Sequence, residues 1–138
     1  MNLVMVMKAI STRPIKAIQV GTVLNCIDNT GAKVLKVIGV KGYKGPKRRV
    51  PKAGVGDVVV CTVVKGNEKI RHEVVYAVIV RQRRKYKRKN GMYVCFEDNA
   101  AVLVNEKFEP RGREIKGVVA KEAVERFPPI GKIASMVM

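Results

Sequence analysis

The pattern of apolar and polar positions up to residue 104 is that of β-strands. Runs rich in Val, Ile and other apolar residues alternate with clusters of Gly, Pro, Asn and Asp, which favour turns. The predicted strands are residues 22–27, 33–40, 57–64, 74–80, 92–96 and 100–104. Short strands at this spacing predict a mainly β fold, a small closed antiparallel barrel, because closure removes exposed sheet edges.

Turn signals separate these strands. The tetrad Asp28-Asn29-Thr30-Gly31 predicts a tight turn, and Asn90-Gly91 is a strong short-hairpin signal because both residues tolerate a positive φ. Residues 41–52 (KGYKGPKRRVPK) contain two Gly and two Pro, so we expect a long exposed loop rather than a helix.

The periodicity changes near the end of the chain. Residues 118–127 place apolar side chains at helical spacing on one face. That face contains Val119, Ala120, Ala123, Val124 and Phe127. The opposite face pairs Lys121 with Glu125 and Glu122 with Arg126 at i,i+4. Pro128-Pro129 ends the predicted helix, and we expect the apolar tail at 130–138 to dock on another surface.

We interpret residues 1–138 as one domain, with a barrel over roughly residues 15–105 and a C-terminal loop and helical excursion over roughly residues 106–138. Methionines stand at positions 1, 5 and 7, so we expect the chain to begin later than Met1, at Met7.

The charge is extreme and uneven. The formal net charge is +17, while 47% of residues are hydrophobic, so this is not a disordered basic tail. Residues 81–89 (RQRRKYKRK) carry seven cations and no acid, and residues 41–52 carry six and no acid. Clustered cations on a β scaffold predict a polyanionic partner, namely nucleic acid.

The candidate phosphate contacts are the cations of these two segments: Lys41, Lys44, Lys47, Arg48, Arg49 and Lys52 in the first, and Arg81, Arg83, Arg84, Lys85, Lys87, Arg88 and Lys89 in the second. Tyr43 and Tyr86 are candidates for stacking on a base or ribose. The mixed face of the C-terminal helix, with Glu122, Glu125 and Arg126, attracts phosphates little and predicts a protein partner.

Other chemistry has little support. His72 is a lone histidine between Arg71 and Glu73, and no nucleophile motif accompanies it, so we predict no enzyme. Cys26, Cys61 and Cys95 have no metal-ligand spacing, and we expect buried free thiols in a reducing cytoplasm, with no metal or cofactor. No run of about 18 apolar residues appears, so we expect no membrane span.

A long multi-part motif then indicates a family. Ala77-Val78-Ile79-Val80 is followed after nine residues by Asn90-Gly91, and then at fixed spacings by Phe96, Asn99 and Val102-Leu103. The chain resembles the universal family of the fourteenth protein of the large ribosomal subunit. Further matches are Asp28-Asn29-Thr30-Gly31-Ala32, Ala53-Gly54-Val55-Gly56-Asp57 and Glu97-Asp98-Asn99-Ala100. The loop at 42–52 and the segment at 110–127 resemble the archaeal and eukaryotic branch.

The resemblance implies a five-stranded barrel with a C-terminal helical excursion in a structural protein of the large subunit. It implies binding to large-subunit rRNA near the subunit interface, a bridge to small-subunit rRNA, and contacts with neighbouring ribosomal proteins. In the archaeal–eukaryotic branch it also implies docking of an anti-association initiation factor on the C-terminal region.

Two rival functions are a free single-stranded RNA-binding barrel acting as a translation factor or RNA chaperone, and an RNA-modifying enzyme. The first calls for a row of exposed aromatics, whereas aromatic residues are 5% of this chain and Trp is absent. The second calls for a convergent polar pocket, which no motif here predicts.

Overall fold

The computed structural model describes residues 14–42 and 50–138. The expected start at Met7, the aromatic Tyr43, and the candidate phosphate ligands Lys44, Lys47, Arg48 and Arg49 lie outside the described residues. No helix in the described part of the chain is long and apolar enough to cross a membrane.

The described residues form short strands followed by two short helices near the C-terminus. In chain order the elements are β1 (Ile18–Gln19), β2 (Val23–Cys26), β3 (Ala32–Val40), β4 (Lys52–Ala53), β5 (Val58–Gly66), β6 (Val74–Arg81), β7 (Tyr86–Lys87), β8 (Tyr93–Val94), β9 (Ala100–Val104), β10 (Ile115–Val119), α1 (Lys121–Arg126), α2 (Pro128–Ile133) and β11 (Ala134–Val137).

Five strands close into a barrel in the order β2-β3-β5-β6-β9, which confirms the predicted fold class. Four neighbouring pairs are antiparallel, and the closing pair, β2 with β9, is parallel. The parallel pair follows from the strand number: directions cannot alternate all the way around a ring of five. Strand alternation directs Leu24, Leu35, Val37 and Cys61 into the core, where each is fully buried.

The C-terminal excursion, residues 106–138, covers the outside of the barrel at β6. The amide of Ala120 donates to the carbonyl of Val80 at 2.9 Å, which ties the start of α1 to that strand. Consequently Val78, Ile79 and Val80 are all fully buried, because the barrel interior covers one face of β6 and the excursion contributes cover on the other.

The predicted helix at 118–127 is shorter in the structure. Val118 and Val119 belong to β10, which pairs in parallel with β11, so α1 begins only at Lys121. Pro128 and Pro129 follow α1, as predicted, and occupy the first positions of α2, where a missing amide hydrogen costs nothing. The apolar tail therefore docks as a helix and a strand on the excursion itself.

The three cysteines occupy different environments. Cys61 is buried in β5, as predicted, and Cys26 in β2 is partly buried. Burial raises the pKa of each of these thiols to about 12. The prediction for Cys95 is wrong, because it is exposed. The run at 92–96 does not enter the barrel but contributes β8 to a separate hairpin.

Candidate nucleic-acid interface

The basic run at 81–89 is not the simple loop that the sequence predicts. Part of it forms β7, which pairs antiparallel with β8 in the register Tyr86 to Val94 and Lys87 to Tyr93. The turn lies at Asn90-Gly91, as expected, and Gly91 has a φ of 89°. We call residues 81–94 the basic hairpin. Because successive residues of a strand face opposite sides, this hairpin has an inner and an outer face.

The inner face is occupied by a buried polar cluster. Tyr86 is fully buried, and its hydroxyl donates to Oε2 of Glu122 at 2.7 Å. The guanidinium of Arg88 donates from Nε to Oε1 of Glu122 at 2.8 Å and from Nη2 to Oε2 at 3.3 Å. Nη2 also reaches the main-chain oxygen of Met138 at 2.6 Å. We call Tyr86, Arg88 and Glu122 the inner cluster; it fastens the hairpin to α1.

The inner cluster shifts the titration of its members. Burial, and then the hydrogen bond to Glu122, raise the pKa of Tyr86 well above its ordinary value. The same carboxylate raises the pKa of Arg88. The bidentate pairing suits a planar guanidinium, and the phenol supplies a further donor to a carboxylate that is only 2% exposed. The cluster therefore holds a neutral tyrosine and an ion pair whose carboxylate is buried.

This cluster corrects two predictions. Glu122 does not lie on the outer face of α1 and does not pair with Arg126; it points into the interior, because Arg88 and Tyr86 arrive there from the hairpin. Tyr86 is fully buried and is unavailable for stacking on a base. Arg88 remains a candidate for RNA contact, but its guanidinium is already bound within the protein.

Arg81, at the end of β6, is also bound internally. Its Nη2 lies 3.1 Å from Oδ2 of Asp98, and its side chain is 16% exposed. Asn25 donates to the same carboxylate oxygen at 3.0 Å. Arg81 lines a cleft with Phe96 and Asp98. Its side chain therefore packs against the barrel and does not project into solvent as a free cation.

Gln82 fixes the start of the basic hairpin to two other parts of the chain, a role that composition alone did not reveal. Its side chain is fully buried, and Oε1 accepts from the amide of Val55 at 3.1 Å. Its Nε2 donates to the carbonyl of Arg84 at 2.9 Å and to that of Ile15 at 3.3 Å. Gln82 thus joins three separate segments, at residues 15, 55 and 84. The one available signal was that it interrupts the charges.

The exposed cations of the basic hairpin have no acidic partner within the hairpin. Five cations of the basic hairpin are exposed: Arg83, Arg84, Lys85, Lys87 and Lys89. We call these the outer cations. No acidic residue occurs between residues 81 and 94, so nothing within the hairpin neutralises them. A cluster of this kind attracts phosphates at long range and contacts them at short range.

Of the other basic segment, residues 41–52, only the two ends lie among the described residues. The ammonium of Lys41 lies 4.6 Å from the ring centroids of both Tyr76 and Phe108, a double cation–π contact that holds the root of the segment. Lys52 is exposed in β4, which pairs with β1. Both remain candidates for RNA contact.

Of the predicted protein-partner residues, Glu125 and Arg126 are half-buried, whereas Glu122 is buried. Lys121 and Glu125 form the expected i,i+4 ion pair at 3.8 Å. Arg126 donates from Nη1 to Oδ1 of Asp57 at 2.9 Å, which joins α1 to the turn before β5. Glu125 and Arg126 thus lie on the accessible side of α1, whereas Glu122 does not.

Comparison with known proteins gives a consistent result. Residues 17–138 match the family model described as "Ribosomal protein L14p/L23e". The chain is 52% identical over 132 residues to large ribosomal subunit protein uL14 of Thermoplasma volcanium, and 46% identical to that of Methanoregula boonei. In both comparisons the alignment covers 96% of this chain and 100% of the relative.

The family model, the identities to archaeal relatives over their full length and the closed five-stranded barrel all agree with the resemblance found in the motifs. It is a family of structural ribosomal proteins rather than enzymes, so the prediction of a non-enzyme is confirmed. The chain belongs to the ribosomal protein L14p/L23e family, on its archaeal branch.

Proposed function

We propose that this protein is a structural constituent of the large ribosomal subunit in the cytoplasm, and that it binds large-subunit rRNA through the outer cations. The relatives' names support the assembly. One observation carries the site: five exposed cations project from a hairpin whose opposite face is fastened to α1 through Glu122.

The fastening matters energetically. A flexible basic segment loses conformational entropy when it binds, whereas a hairpin already fixed by the inner cluster loses less. The outer cations supply attraction that is independent of base sequence, and the fit of the rigid hairpin to folded RNA supplies selectivity. Lys41 and Lys52 are further phosphate contacts in this proposal, together with the cations that the sequence predicts at 44–49.

We propose a different role for the accessible side of the C-terminal excursion. Its helix α1 presents Lys121 and Glu125, an ion pair with little net charge, beside Arg126. A surface of this kind suits the polar rim of a protein interface. The resemblance implies two kinds of protein partner, namely neighbouring ribosomal proteins and an anti-association initiation factor. It also implies a contact with small-subunit rRNA, as part of a bridge near the subunit interface.

The rival free RNA-binding barrel is less well supported. Such a protein needs several aromatic platforms in a row. Within residues 14–42 and 50–138, the one exposed aromatic side chain is that of Tyr93.

The test is sucrose-gradient sedimentation of tagged protein expressed in a related archaeon. The wild type should migrate with the large subunit, and a variant with all five outer cations changed to Gln should shift largely to the top of the gradient. The matched control changes five exposed cations elsewhere to Gln, at Lys36, Lys65, Lys69, Arg71 and Lys107. Equal loss in both variants would show that net charge, and not the hairpin, drives incorporation. Wild-type protein that never enters the subunit would refute the proposed function.

A further inference from the structure

Tyr93 carries the one exposed aromatic ring within residues 14–42 and 50–138. The side chain is 60% exposed, although its strand neighbour Val94 is half-buried against the core. Pairing in β7 and β8 sets Tyr93 directly opposite Lys87, so both side chains project from the outer face. The burial of Tyr86 on the inner face and the exposure of Tyr93 on the outer face follow from the same alternation.

The surroundings of this ring are cationic. The ammonium of Lys85 lies 5.1 Å from the centroid of the Tyr93 ring, within the range of a cation–π contact. Lys87 lies on the other strand of the same hairpin, and the segment from 81 to 94 contains no acid. Lys85 thus contacts the ring within the protein, and the charges beside it suit a polyanion.

We propose that Tyr93 is a nucleobase-stacking site, at which the ring accepts one unpaired base of large-subunit rRNA while Lys87, its partner across the hairpin, contacts a phosphate beside that base. The base lies on the face of the ring opposite Lys85, and the cation–π contact continues the stack. This inference rests on the proposed function and adds to it the class of RNA element that the hairpin recognises: an unstacked nucleotide rather than a continuous duplex.

The chemistry favours a base over a protein side chain as the occupant. Protein interfaces are depleted of lysine at their centres, whereas this ring is flanked by lysines. Single-stranded RNA combines a π-face with a phosphate at each nucleotide, which matches an aromatic ring set between cations. One ring provides room for one base, so the site reads an extruded nucleotide and not a long single strand.

The experiment measures binding of the full chain to deproteinised archaeal large-subunit rRNA by filter retention at several salt concentrations. Tyr93→Ala should weaken binding by about tenfold at every salt concentration, because stacking is lost while the phosphate contacts remain. Tyr93→Phe keeps the ring and should bind within about twofold of the wild type. Val74→Ala, a truncation of a 60% exposed side chain on the barrel, is the matched control and should have no effect.

A second readout reports contact directly. The chain contains no Trp, so a Tyr93→Trp variant carries a single indole. Its fluorescence should be quenched when rRNA is added, as expected for a ring stacked on a base. Circular dichroism confirms that each variant is folded before it is compared.

The outcomes separate this inference from the function on which it rests. If Tyr93→Ala binds as well as the wild type while neutralised outer cations weaken binding, the proposed function stands and the stacking site is refuted. If Tyr93→Ala leaves binding to deproteinised rRNA unchanged but reduces sedimentation with the large subunit in the sucrose gradient, the ring serves a protein partner and the inference is wrong. If the wild type itself fails to bind rRNA, both proposals fall.

Discussion

The two faces of the basic hairpin carry similar residues and perform different tasks. On the inner face, Arg88 and Tyr86 surround the carboxylate of Glu122 and hold the hairpin to α1. On the outer face, Lys85 and Lys87 stand beside the exposed ring of Tyr93. A cation on one face offsets a buried negative charge, while a cation on the other meets solvent. The comparison teaches that net charge measures the strength of an interface only after internal pairs have been subtracted.

The largest expected effect separates the two faces by salt dependence. Changing all five outer cations to Gln should reduce the slope of log K against log salt for rRNA binding by about three to four, since each phosphate contact contributes about 0.7 on single-stranded RNA. Arg88→Gln should reduce it by well under the roughly 0.7 of one phosphate contact, because that guanidinium is already bound to Glu122. Filter binding over a salt series checks both. Equal reductions per residue for Arg88 and the outer cations would erase the distinction between the faces.

The inner face should instead control stability. Arg88→Met leaves the carboxylate of Glu122 buried without its cation, and we expect a loss of about 3 kcal/mol in the free energy of unfolding. Adding Glu122→Gln removes the uncompensated charge and keeps an acceptor for Tyr86, so the double variant should recover about 1–2 kcal/mol. Urea unfolding measures both variants.

The control for that experiment is Lys87→Met, at the adjacent position of the basic hairpin and on its outer face. Because Lys87 is exposed, we expect its unfolding free energy to stay within about 0.5 kcal/mol of the wild type. A similar loss for Lys87→Met and Arg88→Met would contradict the structural role assigned to the inner cluster.

The smallest effect concerns the phenol of the inner cluster. Tyr86→Phe keeps the ring but removes a donor to a charged acceptor, and should cost about 1.5–2 kcal/mol near neutral pH. The raised pKa of Tyr86 means that the folded state favours the neutral phenol. Its contribution is therefore complete below the ordinary tyrosine pKa of about 10 and is lost as the pH rises toward the folded-state value.

The difference in stability between wild type and Tyr86→Phe should accordingly shrink above about pH 10. Comparing the two proteins at each pH cancels the titration of lysines and of the buried thiols, which both share. A difference that grows in alkali would mean that the phenolate is the favoured form in the folded state, contrary to its burial beside a carboxylate.

The barrel was predictable because its determinants are local. Alternation, turn residues and β-branched runs placed five of the six predicted strands within a few residues of their observed bounds, from β2 to β9. The sixth run, at 92–96, failed because a short apolar strand looks the same whether it joins a barrel or a peripheral hairpin. Its outcome depended on what packs beside it, and Cys95 is exposed for the same reason.

By itself, the amino-acid sequence determined the strand pattern, the cationic segments and the family, because each is written in neighbouring residues or in fixed spacings. It predicted a basic loop at residues 81–89 and not a hairpin with two distinct faces. Only the tertiary structure decided which face is buried, since the group that selects it, Glu122, lies 34 residues from Arg88 in the chain. A charged side chain is buried when a distant element supplies its counter-charge, and the local sequence pattern does not indicate that contact.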